Sequence, residues 1–190
     1  MKNNKILKAG KIVTKILEVF HWVAAAIMAV AAVCSLALPS FVKNCIGLTP
    51  IEGYGAVIEV YGFEMILPWG GGAMGAPDTR PFFLFAIGGI LLLGLMAMTF
   101  RNLHLIMKSA ETGTPFQKDN IRMMREIGIF SISSPIVGLI MSVITRLVIG
   151  IDTIEITVHL EGFCMGIIVL CLTQFFVHGA KLEEDVEGLL

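Results

Sequence analysis

Four long apolar segments divide this chain, and the segments between them hold most of its charged residues. The apolar segments cover residues 20–38, 82–100, 129–149 and 158–177. Each is about 20 residues long, the length at which an α-helix spans the hydrocarbon core of a bilayer. Because backbone groups find no water there, a helix is the conformation expected for each segment. The pattern predicts an all-α membrane protein, a single four-helix transmembrane domain over residues 1–190.

The connecting segments predict additional structure outside the bilayer. Residues 2–15 and 101–111 have helical composition next to the first two spans, and residues 117–126 start a helix that continues into the third. The first loop, residues 39–80, is long for a simple connection. Between Thr49 and Leu67 it alternates apolar and polar residues around several glycines, which predicts a small β-hairpin.

Basic residues mark one side of the membrane. Eleven of the fourteen lie before the first apolar segment, between the second and third, or after the fourth. The other two loops are mainly acidic, and positively charged loops stay in the cytoplasm. We therefore expect a multi-pass protein with both termini cytoplasmic and with the hairpin in an extracellular loop.

The first apolar segment has an alternative interpretation as a cleaved signal peptide. A basic start and the small residues Ser35 and Ala37 fit that pattern. The apolar stretch is, however, longer than the roughly 7–15 residues of a signal peptide. We therefore expect a membrane span that is retained.

Two formally charged residues lie inside the apolar segments, Arg146 and Glu161. Each lies three residues from the outer end of its segment, roughly 4–5 Å into the apolar zone at the rise of an α-helix. An unpaired charge is costly at this depth, so we expect an intramembrane ion pair. The alternatives are that each side chain reaches the headgroups separately, or that both form a substrate or proton site with His159.

Small residues predict close packing of the third and fourth helices. Ser134, Gly138 and Ser142 recur every four residues on one face of the third helix, and Gly162 and Gly166 form a G-x-x-x-G motif on the fourth. Small residues at this spacing let helix backbones approach closely in lipid. The alternative is that these glycines make no special contact.

The pattern of reactive residues does not indicate a catalytic centre. The four histidines have no metal-ligand spacing, and the cysteines form no C-x-x-C pair. Glu18 and His21 lie three residues apart at the inner end of the first span, where we expect a solvated pair rather than a proton relay. We assign no catalytic residue, cofactor or metal ligand and predict that the protein is not an enzyme.

Two short segments resemble a known family. Residues 113–116 with Asn120 and residues 124–128 are similar to the central signature of small bacterial four-helix membrane proteins catalogued as domain of unknown function 2975. Residues 176–185 resemble that family's C-terminal signature, whereas residues 186–190 replace its usual polar end. The resemblance implies a bacterial plasma membrane location and no established activity. It also implies a small helix-turn-helix regulator as a cytosolic partner.

These observations favour a regulatory or accessory role in which the cytoplasmic face engages a protein partner. The candidate surface comprises Phe116, Arg122, Arg125, Glu183, Glu184 and Asp185. For Phe116, packing under the helix bundle is the interpretation that we favour over contact with a partner. The three acidic residues could also pair with the two arginines, in exposed pairs that would each contribute little.

A small transporter or channel subunit is the rival function. Arg146 and Glu161 would then line a polar path within a homo-oligomer. A membrane enzyme is the least supported hypothesis, because catalytic groups do not converge. The lipid bilayer is an expected partner in every case, and nucleic acid is not expected to bind directly.

Overall fold

The computed structural model describes residues 3–37, 56–67, 80–111, 116–149 and 160–188. Four long helices and two strands form this part of the chain. The helices are α1 (Asn3–Ala37), α2 (Arg80–Ser109), α3 (Lys118–Ile149) and α4 (Leu160–Glu187). Between α1 and α2 lie the strands β1 (Ala56–Val60) and β2 (Phe63–Leu67).

All four helices are long and apolar enough to cross a membrane. Each continues beyond its apolar segment: α1 begins at Asn3, α2 extends to Ser109, and α3 begins at Lys118. The structure therefore confirms the predicted fold class, a multi-pass helical membrane protein with a small hairpin between the first two spans. The other parts of the first loop, residues 38–55 and 68–79, lie outside the described residues.

Side chains on α1 are distributed as lipid requires. Large apolar residues such as Ile16, Phe20 and Ile27 are exposed. The buried residues are small or polar, and each lies three, four or seven residues after the one before it, which places them on one side of the helix. They are Thr14, Glu18, His21, Ala25, Ala32 and Ser35. In a membrane protein the apolar exterior contacts acyl chains, and small or polar residues face neighbouring helices. The pattern is therefore that of a helix in a bilayer rather than in water.

The described contacts separate the chain into two compact units. The terminal unit contains Met1–Trp22, Leu95–Ser133 and Leu160–Leu190. The loop unit contains Val23–Gly94 and Ser134–His159. The single domain over residues 1–190 stays a prediction.

The β-hairpin in the loop unit turns through two residues. Tyr61 and Gly62 both have positive φ, 49° and 79°, as a two-residue type I′ turn requires. The strands are antiparallel, with Val60 opposite Phe63 next to the turn. This register places Phe63 and Met65 on one face of the hairpin and Glu64 on the other.

The core of the loop unit forms around this apolar face of the hairpin. Phe63 and Met65 are completely buried and belong to one cluster with Phe85, Leu92 and Met141. The Phe63 and Phe85 rings are stacked with their centroids 5.4 Å apart. The hairpin therefore contributes two of the five buried residues of this cluster.

Candidate functional site

An ion pair and a backbone contact tie α1 to α2 in the terminal unit. The Lys11 ammonium lies 2.6 Å from the Glu111 carboxylate. The backbone carbonyl oxygen of Lys11 lies 3.0 Å from Nδ1 of His104. This nitrogen donates the hydrogen bond when the imidazole is protonated at Nδ1. Near this point Gly10 lies against Met107, whose methyl carbon is 3.1 Å from where a Cβ would be. The N-terminal part of α1 is thus held along the end of α2.

A buried amide ties α2 to α3. The Asn102 side chain, only 4% exposed, donates from Nδ2 to Oε2 of Glu126 over 2.8 Å. The other carboxylate oxygen of Glu126 lies 3.7 Å from Nε of Arg122, one helical turn away. Arg122 therefore lies beside Glu126 on its own helix. The suggested pairing of Arg122 and Arg125 with the acidic residues at the end of α4 stays a prediction.

Phe116 lies two residues before α3 and packs against α4. Its ring centroid is 5.6 Å from that of Phe176. A Cβ added at Gly179 would lie 2.6 Å from the Phe116 ring, so the aromatic side chain occupies space that only glycine leaves free. The half-buried Phe116 therefore has the packing role that we favour for it from the sequence.

Glycines bring α3 and α4 into backbone contact. A Cβ added at Gly166 would lie 2.7 Å from the Gly128 carbonyl oxygen and 3.1 Å from the Ile132 backbone nitrogen. A Cβ at Gly128 would in turn meet the Leu170 side chain at 2.7 Å. Among the predicted packing residues, Gly166 thus lies at this contact, and Gly162 is half-buried one turn earlier.

The predicted serine and glycine stripe of α3 lies in the loop unit. Ser142 is buried, and its hydroxyl donates to the Gly138 carbonyl over 2.9 Å. The atom nearest to a Cβ at Gly138 is the Phe63 Cβ, at 3.9 Å. Ser134 is half-buried. In the loop unit, Gly138 of this stripe therefore faces the hairpin.

Glu18 and His21 are buried, and the prediction of a solvated pair is wrong. They are 7% and 4% exposed. The Lys15 ammonium lies 3.0 Å from the Glu18 carboxylate. Nδ1 of His21 lies 2.6 Å from the Leu17 carbonyl oxygen, and its ring lies 5.1 Å from that of Phe100. The spacing of three residues places both side chains on the face of α1 that packs against protein.

The intramembrane ion pair stays a prediction. Arg146 is half-buried in the loop unit, three residues before the end of α3. Glu161 is exposed in the first turn of α4, in the terminal unit. His159, the third member of the alternative site, lies outside the described residues.

The exposed charges of the terminal unit form the candidate interaction surface. On α3, Lys118, Arg122 and Arg125 follow one another at spacings of four and three residues and are all exposed. These spacings place them on one side of the helix. At the end of α4, Glu184 and Asp185 are exposed and Glu183 is half-buried. We call the three basic residues the basic stripe.

Reactive groups do not converge in the part of the chain that the structure describes. No set of three His, Cys, Asp or Glu side chains there could hold a metal ion. Cys34, Cys164 and Cys171 are free thiols. Cys45 lies outside the described residues.

Comparisons with protein-family models, with curated proteins and with solved structures find no match to this chain. The resemblance to the bacterial four-helix family therefore stays a prediction. Residues 113–115 of its central signature lie outside the described residues. Phe116 of that signature contacts Gly179 of the C-terminal one.

Proposed function

We propose that this chain is a plasma-membrane protein with a non-enzymatic regulatory or accessory role. In this proposal a cytosolic protein binds the basic stripe, Lys118, Arg122 and Arg125, from the cytoplasmic side. The observation that carries the proposal is that these charged side chains are exposed on a helix that is held in place by a buried hydrogen bond. The Arg122 side chain is 69% exposed, while its neighbour Glu126 is held by the buried Asn102.

An anchored stripe favours recognition for two physical reasons. A helix held at Asn102 and Glu126 needs little ordering when a partner binds, so less free energy is lost on association. Exposed guanidinium groups also steer an acidic partner surface toward the binding site and align it. The partner we propose is therefore a protein with an acidic surface, and a small helix-turn-helix regulator is consistent with the family resemblance.

The cytoplasmic location of the stripe can be tested by thiol labelling in intact cells. In a chain without Cys45, cysteines introduced as Asn3→Cys or Glu187→Cys are expected to resist an impermeant maleimide. Gly72→Cys is expected to react, because positively charged segments stay inside. Labelling of either terminal site without lysis would contradict the orientation.

Charge reversal tests whether the stripe binds a partner. The double variant Arg122→Glu and Arg125→Glu is expected to lower recovery of a crosslinked cytosolic protein about tenfold or more, because an acidic partner is then repelled. Membrane insertion should remain, since the basic N-terminal segment still sets orientation. Recovery is measured by quantitative mass spectrometry after mild crosslinking.

A matched control reverses two other exposed basic residues of the terminal unit, Arg101 and Lys108 on α2. The net charge of this variant equals that of the test variant, so general electrostatic repulsion would affect both equally. Equal recovery from wild type and the stripe variant would reject the proposal. Uptake into reconstituted vesicles would then test the transporter hypothesis.

A further inference from the structure

One side of α4 faces away from the rest of the terminal unit. Only 11% of its most apolar stretch is buried, against 22–39% for the other three helices. Its buried positions, Gly166 and Thr173, lie seven residues apart and therefore on one side of the helix. Cys171 lies close to the opposite side, at the centre of the exposed surface.

The exposed side of α4 has a repeat of seven residues. Cys164, Cys171 and His178 are seven residues apart, and Ile168 and Phe175 flank them at the same interval. All five are exposed, as is Gln174. Residues seven apart lie on one face of a helix, and two helices can pack along such a face. We call these six residues the outer face of α4.

Lipid alone is a poor environment for this face. Gln174 lies three residues inside the last apolar segment, roughly 4–5 Å from its inner end. Its side-chain amide has two donors and an acceptor, and acyl chains offer no hydrogen-bond partner. A polar group left unsatisfied in an apolar environment raises the free energy of that state. A second helix with a complementary amide would satisfy it.

We propose that the outer face of α4 is the contact between two copies of this chain, arranged as a parallel dimer. Copies of one chain insert in the same orientation, so identical residues meet across a two-fold axis. The Gln174 amide is complementary to itself, because it both donates and accepts. Small cysteine side chains at the repeat positions let the two helices approach closely.

Charges beyond the apolar segment support the same arrangement. Lys181 and Asp185 are both exposed, and they lie one turn apart on the dimer side of α4. Across a parallel two-fold axis, each lysine can approach the aspartate of the other copy. A second copy therefore fits this face in its hydrogen bonding, its side-chain size and its charge.

The native cysteines provide the test. In membranes containing a chain whose other cysteines are alanine, Cys171 is expected to form a disulfide-linked dimer under mild oxidation. The matched control moves the single cysteine to the neighbouring position with Leu172→Cys in a Cys171→Ala chain. Leu172 is also exposed, at 47%, but lies about 100° around the helix from Cys171. We expect at least about fivefold more dimer from Cys171, because residues at the seam face each other.

A second measurement uses the amide. Gln174→Leu is expected to reduce the dimer association constant, measured by energy transfer between labelled copies in liposomes, about threefold to twentyfold. Ile168→Leu, an apolar exchange on the same face, should leave the constant within about a factor of two. Equal crosslinking of the two cysteine positions, an unchanged constant for Gln174→Leu, or a crosslinked product that is not twice the chain mass would each overturn the proposal.

Discussion

Phe63→Ala is expected to lower the free energy of unfolding by about 3–5 kcal/mol, the range for removing a fully buried aromatic side chain. Phe63 is completely buried and stacks on Phe85 at 5.4 Å, so the substitution leaves a cavity between the hairpin and α2. The measurement is unfolding in detergent micelles by titration with a denaturing detergent. The control is Leu91→Ala on α2, where the side chain is half exposed. We expect this substitution to lower the free energy of unfolding by less than about 1 kcal/mol.

A double-mutant cycle shows whether the Phe63 ring causes the effect. A Cβ at Gly88 would lie 2.6 Å from the Phe63 ring, so Gly88→Ala should be destabilising in the wild-type chain. In a Phe63→Leu chain the space near Gly88 is larger, and the cost of Gly88→Ala should fall. If the two substitutions have strictly additive effects, the ring does not pack against α2 as the structure has it.

The fold could be predicted from the sequence because the bilayer imposes a simple length rule. Four apolar segments of about 20 residues specify four helices whatever their tertiary contacts are. The hairpin was also predicted, from alternation and glycines, and Gly62 lies in its turn. The complete burial of Phe63 could not be predicted, because it depends on Phe85, which is distant in sequence.

The candidate site was predictable only where local spacing determines exposure. Arg122 and Arg125 are three residues apart on a helix with a basic face, and both are exposed. The Asn102 contact with Glu126 joins residues 24 positions apart, and nothing in the local pattern specifies it. For Glu18 and His21 a signal existed, because they share a face with Thr14 and Ala25, which are also buried. Because both side chains can carry a charge, the sequence favours exposure of Glu18 and His21 to water. In the structure both are buried where α1 packs against other residues.

The two proposals reinforce each other. A dimer through α4 would carry two basic stripes on the same side of the membrane. A partner with two acidic surfaces could then bind both, and the second contact would form at a high effective concentration. Weak individual contacts at exposed arginines would therefore suffice for stable binding.

Gly166→Ala is expected to lower the free energy of unfolding by about 1–3 kcal/mol, because the added methyl group overpacks the contact between α3 and α4. The added methyl group would meet the Ile132 side chain and two backbone atoms, the Gly128 carbonyl oxygen at 2.7 Å and the Ile132 nitrogen at 3.1 Å. Backbone cannot rotate away as a side chain can, so the helices must separate. The measurement is again unfolding in detergent micelles.

Two other glycines provide graded controls for the same substitution. At Gly94 on α2 nothing lies within 4 Å of the added Cβ, so Gly94→Ala should be neutral or stabilising by up to about 1 kcal/mol through helix propensity. At Gly128 the nearest atoms belong to the flexible Leu170 side chain, so Gly128→Ala should cost less than Gly166→Ala. The expected order of destabilisation is thus Gly166, then Gly128, then Gly94. If alanine is tolerated equally at Gly166 and Gly94, the backbones of α3 and α4 are not in contact at Gly166.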